Sequence, residues 1–277
     1  MIWASGAIMP PAGLAIPLAD RIFEHGLGLF ETFRTWDGRA PLLRRHLDRL
    51  RRSALALDID LAGVMLPDPG AVDHLARAIG HPDALLRLTV SAGRPDQIPP
   101  TCWMAAAPLP PASPRSGWRV VAAPWPVAVA DRLARHKTLN YWAKRMAFEH
   151  AQALGADEAV VGSADGRSWE GSRTSLFLIR GETLLTPPTS GPIVPGIMRA
   201  LVLERAGGAG FSAAEADITD AQVDVADEVF LANSVRGLVP VRQWDGRGYR
   251  PTSFAFDATA RLQRAVTDFL SPPRMPP

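Results

Sequence analysis

Four prolines fall within Ala107–Gly117, which reads Ala-Pro-Leu-Pro-Pro-Ala-Ser-Pro-Arg-Ser-Gly. Proline fixes φ and offers no backbone N–H, so this run can neither continue a helix nor sit inside a sheet. It reads as a stiff, extended crossover that divides the chain. The expected organisation is a small N-terminal domain over residues 1–107, a linker at 108–117 and a larger C-terminal domain over 118–277.

Both parts mix strands and helices. Leu29–Trp36 alternates and stops at Asp37-Gly38, a tight-turn signal. The leucines of Arg44–Leu55 recur at helical spacing, and Leu85–Ser91 is a β-rich run that stops at Gly93. Past the linker, Trp118–Pro124, Glu158–Gly162, Ser175–Arg180 and Glu228–Ala232 read as strands. Tyr141–Leu154, Gly196–Ala206 and Phe256–Leu270 read as helices. No strict β-α-β rhythm repeats, which predicts the α+β class.

The 277 residues carry 30 basic and 28 acidic side chains, for a net charge of +2. So small an excess gives no footprint for nucleic acid. No apolar run reaches membrane-spanning length. The apolar start, Met1–Pro17, lacks a basic leader and carries Pro10, Pro11 and Pro17, so it reads as a first strand and turn rather than a signal peptide. Cys102 is the single cysteine, which leaves no intrachain disulfide or multi-cysteine metal site and fits a reducing cytoplasm. The common glycine-rich nucleotide loops and the His-Glu-x-x-His zinc pattern are absent, and no metal is expected.

Of the 30 basic residues, only Lys137 and Lys144 are lysine. A lysine kept against such a bias suggests chemistry that guanidinium cannot perform, such as Schiff-base formation by a deprotonated amine. A lone lysine is more often a surface residue, so the neighbouring blocks matter. They are His136-Lys137-Thr138-Leu139-Asn140-Tyr141, Trp169-Glu170-Gly171-Ser172 before Leu176-Phe177, Val194-Pro195-Gly196-Ile197-Met198, and Ala226-Asp227-Glu228-Val229-Phe230-Leu231-Ala232-Asn233-Ser234.

Their order and spacing, over about Asp20–Val241, resembles the fold-type IV pyridoxal-phosphate enzymes (aminotransferase class IV). That family includes branched-chain and D-amino-acid aminotransferases and aminodeoxychorismate lyases. The resemblance implies a two-domain fold, pyridoxal 5'-phosphate as cofactor and a homodimer. It puts the Schiff-base lysine at Lys137, with Lys144 an ordinary helix residue. Glu170 would face the cofactor's ring nitrogen, though a turn glutamate in solvent would look the same. Arg49, of His46-Leu47-Asp48-Arg49-Leu50, matches the phosphate arginine, although Arg44, Arg45, Arg51 and Arg52 make a solvated helix face an alternative. Ile197 and Met198 open a helix whose free N–H groups suit a phosphate, and Ser234 matches a further phosphate ligand. Tyr141 matches a phenol that contacts the ring oxygen, or it packs in a core. His25 and His136 are expected to pack or bond locally.

The resemblance implies a small-molecule amino donor and a 2-oxo acid as partners, and aminotransferase activity. The alternative is aminodeoxychorismate lyase, which releases pyruvate and 4-aminobenzoate. A third reading, a silent ligand-binding relative, is disfavoured because Lys137 and Glu170 are both present. Thr32, in Phe30-Glu31-Thr32, matches a proton-relay threonine of the lyases, and Asn233 also resembles their pattern. Arg87, Arg94 and Arg236 are candidate substrate-carboxylate binders, with a strand arginine paired to a protein carboxylate as the alternative for Arg87. Two departures bear on substrate. Ser175 stands where many relatives carry asparagine, and Gly26-Leu27-Gly28 replaces Gly-Asp-Gly.

Overall fold

Alternation along one strand organises the N-terminal part of the chain. The strands there are β1 (Ile2–Ala4), β2 (Ala7–Met9), β3 (Gly28–Arg34), β4 (Ala84–Ser91) and β5 (Cys102–Pro108). The helices are α1 (Arg21–His25), α2 (Leu43–Ala56) and α3 (Pro69–Ala78). The strands form an antiparallel sheet in the order β2-β1-β5-β4-β3. On β3, Leu29, Glu31 and Phe33 point to the side covered by α2, and Phe30 and Thr32 alternate to the other. α2 presents Leu43, His46, Leu47, Leu50, Ser53 and Ala54, a buried stripe at helical spacing.

The Asp37-Gly38 signal gives a tight turn. Both residues are left-handed, at φ 50° and 74°, and Trp36 and Arg39 exchange backbone hydrogen bonds of 2.7 and 3.0 Å. The pairing stops there because Pro41 has no N–H to donate. The chain enters α2, and β3 takes the distant β4 as its neighbour.

The computed structural model describes residues 1–81, 83–244 and 256–271. It divides into two compact units: Met1–Pro111 with His136–Asn140, and Ala112–Arg135 with the chain from Tyr141 onward. Residues 245–255 and 272–277 of the expected C-terminal domain lie outside the described residues. The placing of His136–Asn140 in the first unit differs from the sequence expectation. Its reason is the open edge of β3: Phe30 N–H donates to the Lys137 carbonyl at 2.9 Å, and Leu139 N–H to the Gly28 carbonyl at 3.0 Å.

The second unit contains strands β6 (Trp118–Ala122), β7 (Glu158–Gly162), β8 (Arg167–Gly171), β9 (Ser175–Arg180), β10 (Thr183–Thr186), β11 (Ser212–Glu215), β12 (Ile218–Thr219), β13 (Glu228–Asn233) and β14 (Gly237–Trp244). Its helices are α4 (Trp142–Ala153), α5 (Ile197–Ala206), α6 (Asp220–Asp224) and α7 (Asp257–Leu270). The strand order is β11-β10-β9-β13-β14-β6-β7-β8-β12, and a pairing of Glu170 with Ser175 also joins β8 to β9. That pairing closes β9, β13, β14, β6, β7 and β8 into a ring around Val120, Val160, Leu176, Leu178, Val229, Leu231 and Val241. α4 lies against β7 through Ala147 and Ala151, small residues that let the helix approach closely.

Gly28 is the tightest point of the β3 edge. A Cβ there would lie 2.6 Å from both the Val90 carbonyl oxygen and Leu139 Cδ1. Gly28→Ala is expected to destabilise the protein by about 1–3 kcal/mol, an overpacking cost. Chemical denaturation measures it, and wild-type stability would show that the edge yields freely.

Candidate active site

In the first unit, the alternation that buries Leu29 and Phe33 also buries the carboxylate of Glu31, 1% exposed. Arg49 meets it in a two-pronged contact, Nε to Oε1 at 2.8 Å and Nη2 to Oε2 at 2.5 Å. His46 Nδ1 lies 2.7 Å from Oε2. Burial alone would raise the Glu31 pKa, but the charge and hydrogen bonds of Arg49, with the His46 contact, overcome it and push the carboxyl down to about 2. Burial lowers the His46 pKa, so the neutral ring with Nδ1–H toward Glu31 is favoured. Its Nε2 is buried without a hydrogen-bond partner among the described residues.

On the opposite face of the sheet, Lys137 Nζ stands 4.2 Å over the Phe30 ring and the Arg87 guanidinium 3.8 Å over it. Arg87 is directly opposite Thr32 in the β3–β4 register, so both share that face. His136 Nδ1 lies 3.0 Å from Ser53 Oγ on α2, a partner distant in sequence. Arg94, expected to bind a substrate carboxylate, contacts a protein carboxylate in this structure. Its Nη2 holds both oxygens of Glu24 at 2.9 Å and its Nε donates to the Ala19 carbonyl, so it braces the loop before α1.

In the second unit, Glu170 is 5% exposed, which removes the solvent-turn alternative. Its carboxylate accepts from the Val194 N–H at 3.2 and 3.3 Å and from Lys144 Nζ at 2.7 Å. Lys144 is thus no ordinary helix cation. Sequence reasoning missed this because the partner is 26 residues away; the available signal was its rarity. Tyr141 donates its hydroxyl to the Ser172 carbonyl at 2.9 Å. Ser172 Oγ donates to the fully buried Glu158, whose pKa burial raises.

Around the ring closure the second unit leaves the start of α5 without a side-chain cap. Gly196 precedes α5 with no side-chain cap, leaving the N–H groups of Ile197 and Met198 without one. Any Cβ on Gly196 would sit 2.5 Å from Ser175 Oγ. Ser175 is in register with Glu170 on β8 and Ala232 on β13, so Ser234 follows directly on this patch. Asn233 turns its own Oδ1 back to the N–H groups of Val235 and Arg236, at 3.0 and 2.8 Å, and so shapes the loop that carries Ser234. Arg236 donates to Ser113 Oγ at 3.3 Å and lies 5.4 Å from the Trp118 ring.

Residues 28–244 match the family model described as amino-transferase class IV. The chain belongs to that family. A Methanocaldococcus jannaschii protein provisionally named a branched-chain-amino-acid aminotransferase is 32% identical over 240 residues, covering 82% of this chain and 83% of that one. A Mycobacterium tuberculosis bifunctional aminodeoxychorismate lyase / D-amino acid transaminase is 27% identical, covering 92% of this chain and 94% of its own. Among solved structures, a hypothetical aminotransferase from Mycobacterium tuberculosis in its PLP-bound form superposes with a TM-score of 0.81 at 26% identity, covering 96% and 98%.

Class IV aminotransferases use pyridoxal phosphate, and the residues present fit it. The first unit offers a primary amine, Lys137. The second offers a buried carboxylate, Glu170, and an uncapped ten-residue helix whose leading glycine has no room for a side chain. Among the described residues, no group of three His, Cys, Asp or Glu could hold a metal ion, and no helix is long and apolar enough to cross a membrane.

The Glu31 network makes stability depend on pH. A carboxyl whose folded pKa lies near 2 rather than 4.5 contributes above about 4.5, and that contribution is lost as pH falls toward 2. Glu31→Gln is expected to flatten this acid limb of the stability curve. Arg49→Met leaves the carboxylate buried without its cation and should cost about 3–5 kcal/mol at neutral pH. Denaturant titrations from pH 2 to 7 check both, and an unchanged acid limb in Glu31→Gln counts against the assignment.

Proposed function

We propose that this class IV enzyme moves an amino group between an amino acid or amine and a 2-oxo acid, with Lys137 as the lysine that joins the cofactor aldehyde. The seat of the Lys137 amine carries the reading. Its backbone is paired onto the β3 edge and its Nζ is held over the Phe30 ring, which Arg87 also contacts.

When bound, pyridoxal phosphate supplies an electron sink for the bonds at the substrate's amino-bearing carbon. The chain's residues do the rest. Lys137 Nζ would take and return the proton at the substrate's amino-bearing carbon. Glu170 would face the ring nitrogen, and its burial would limit screening of that contact by water. Tyr141, with its hydroxyl hydrogen on the Ser172 carbonyl, would have oxygen lone pairs left for the ring oxygen. In the second unit the N–H groups of Ile197 and Met198 and Ser234 would serve the phosphate, with Asn233 keeping the Ser234 loop in shape; the phosphate role of Arg49, in the first unit, rests on the family resemblance. With Arg94 engaged by Glu24, Arg87 and Arg236 are the arginines proposed to bind a substrate carboxylate. The reading includes the two compact units as the small and large domains, a homodimer and a cytoplasmic location. The ordinary globular composition, a lone buried cysteine and the family resemblance support these.

A second reading, aminodeoxychorismate lyase, is favoured by one observation: the Thr32 hydroxyl lies on the same sheet face as Phe30, over which Lys137 Nζ stands. One relative's name pairs lyase and transaminase activities.

Borohydride treatment of the loaded enzyme is expected to fix the pyridoxyl group on the Lys137 peptide, and Lys137→Ala to lose turnover by at least about 10³-fold. Mixing with L- and D-amino acids in the absence of any oxo acid should release one equivalent of oxo acid per site. Label on the Lys144 peptide would overturn the lysine assignment. Release of pyruvate and 4-aminobenzoate from aminodeoxychorismate, with no donor accepted, would establish the lyase.

A further inference from the structure

We propose that Lys144 is a positioning residue that aims the Glu170 carboxylate and draws on its charge, and thereby sets how tightly the cofactor's ring nitrogen keeps its proton. The inference rests on the reading that Glu170 faces that nitrogen. Lys144 Nζ sits 2.7 Å from Glu170 Oε1, with side chains 17% and 7% exposed, so the contact is little screened by solvent. Lys144 lies in the first turn of α4, which Tyr141 immediately precedes. The carboxylate is held from a second side by the Val194 N–H.

The charges around this carboxylate can be named element by element. α4 contributes Lys144, while Arg145 and Glu149 pair with each other at the exposed surface. β7 contributes the fully buried Glu158, and the loop between β8 and β9 contributes Arg173, whose Nε is 3.8 Å from Glu158. Residues 187–196 and β12 bring no titratable side chain. The remaining charge on β8, Arg167, is tied to Asp165 and Asp217. Two buried carboxylates therefore lie on neighbouring strands, with one ammonium ion bonded to Glu170.

The sign of the effect follows from the charge. An ammonium ion beside Glu170 competes with the ring N–H for the carboxylate and repels a positive ring. Removing it must raise the pH at which a bound pyridine ring gives up its proton. Lysine suits this task because its compact ammonium reaches one carboxylate oxygen as a point charge.

The test uses pyridoxine 5'-phosphate, which carries the ring and phosphate but no aldehyde for Lys137. Its ultraviolet spectrum, bound at saturation, is titrated with pH on the wild type and on Lys144→Met, Lys144→Arg and Glu170→Gln. Lys144→Met should raise the ring's deprotonation midpoint by about one to two pH units, and Lys144→Arg should stay within about half a unit of wild type. Glu170→Gln should lower the midpoint. If Lys144→Met fails to fold, Lys144→Gln reads the same shift. An unmoved midpoint in the neutral variants, with Glu170→Gln effective, overturns the role of Lys144 alone. An unmoved midpoint in Glu170→Gln removes the ring-nitrogen reading as well, and this proposal with it.

Discussion

The carboxylate of Glu31 lies on the core side of β3, and the first unit is arranged around answering it. Period-two alternation leaves no choice: if Leu29 and Phe33 face α2, so does Glu31. Arg49 supplies a two-pronged cation from α2, and His46 closes on the same oxygen from one turn earlier. A planar guanidinium on a buried carboxylate tolerates little sliding, so the pair fixes the register of α2 against β3. That register presents Phe30 on the far face and leaves the β3 edge open. The segment bearing Lys137 docks on that edge.

The second unit solves a different problem with a single backbone pairing. Joining Glu170 to Ser175 turns an open sheet into a ring and turns the Glu170 side chain into a buried group. The same strands bring Gly196, Ser175 and the Asn233 turn together, so the uncapped N–H groups of α5 and the carboxylate share one closure. Lys144 then makes the burial of Glu170 tolerable.

Much of this was legible in the sequence wherever a local rule sufficed. β7 and β9 begin and end where alternation and turn residues placed them, and α5 starts one residue after its predicted glycine. β5 was missed because Cys102–Pro108 is rich in alanine and ends in proline, with no β-branched residue to mark it. β12 is two residues long, too short for any period to show. The site residues were found through ordered blocks, but their partners were not. Lys144 with Glu170, Arg94 with Glu24 and Asn233 with its own loop are decided by tertiary approach, which spacing along a chain does not encode.

The distribution of amines has a consequence for how such a protein meets reactive carbonyl compounds. Arginine covers the surface, and guanidinium stays protonated and forms no imine with ordinary aldehydes. Lys137 and Lys144 are the only side-chain amines, and both are half-buried, one over an aromatic ring and the other on a carboxylate. An enzyme that handles an aldehyde thus presents it with almost no decoys. Stray aldehydes and sugars meet a surface to which they cannot attach through lysine, and the carbonyl chemistry stays where the fold has placed it.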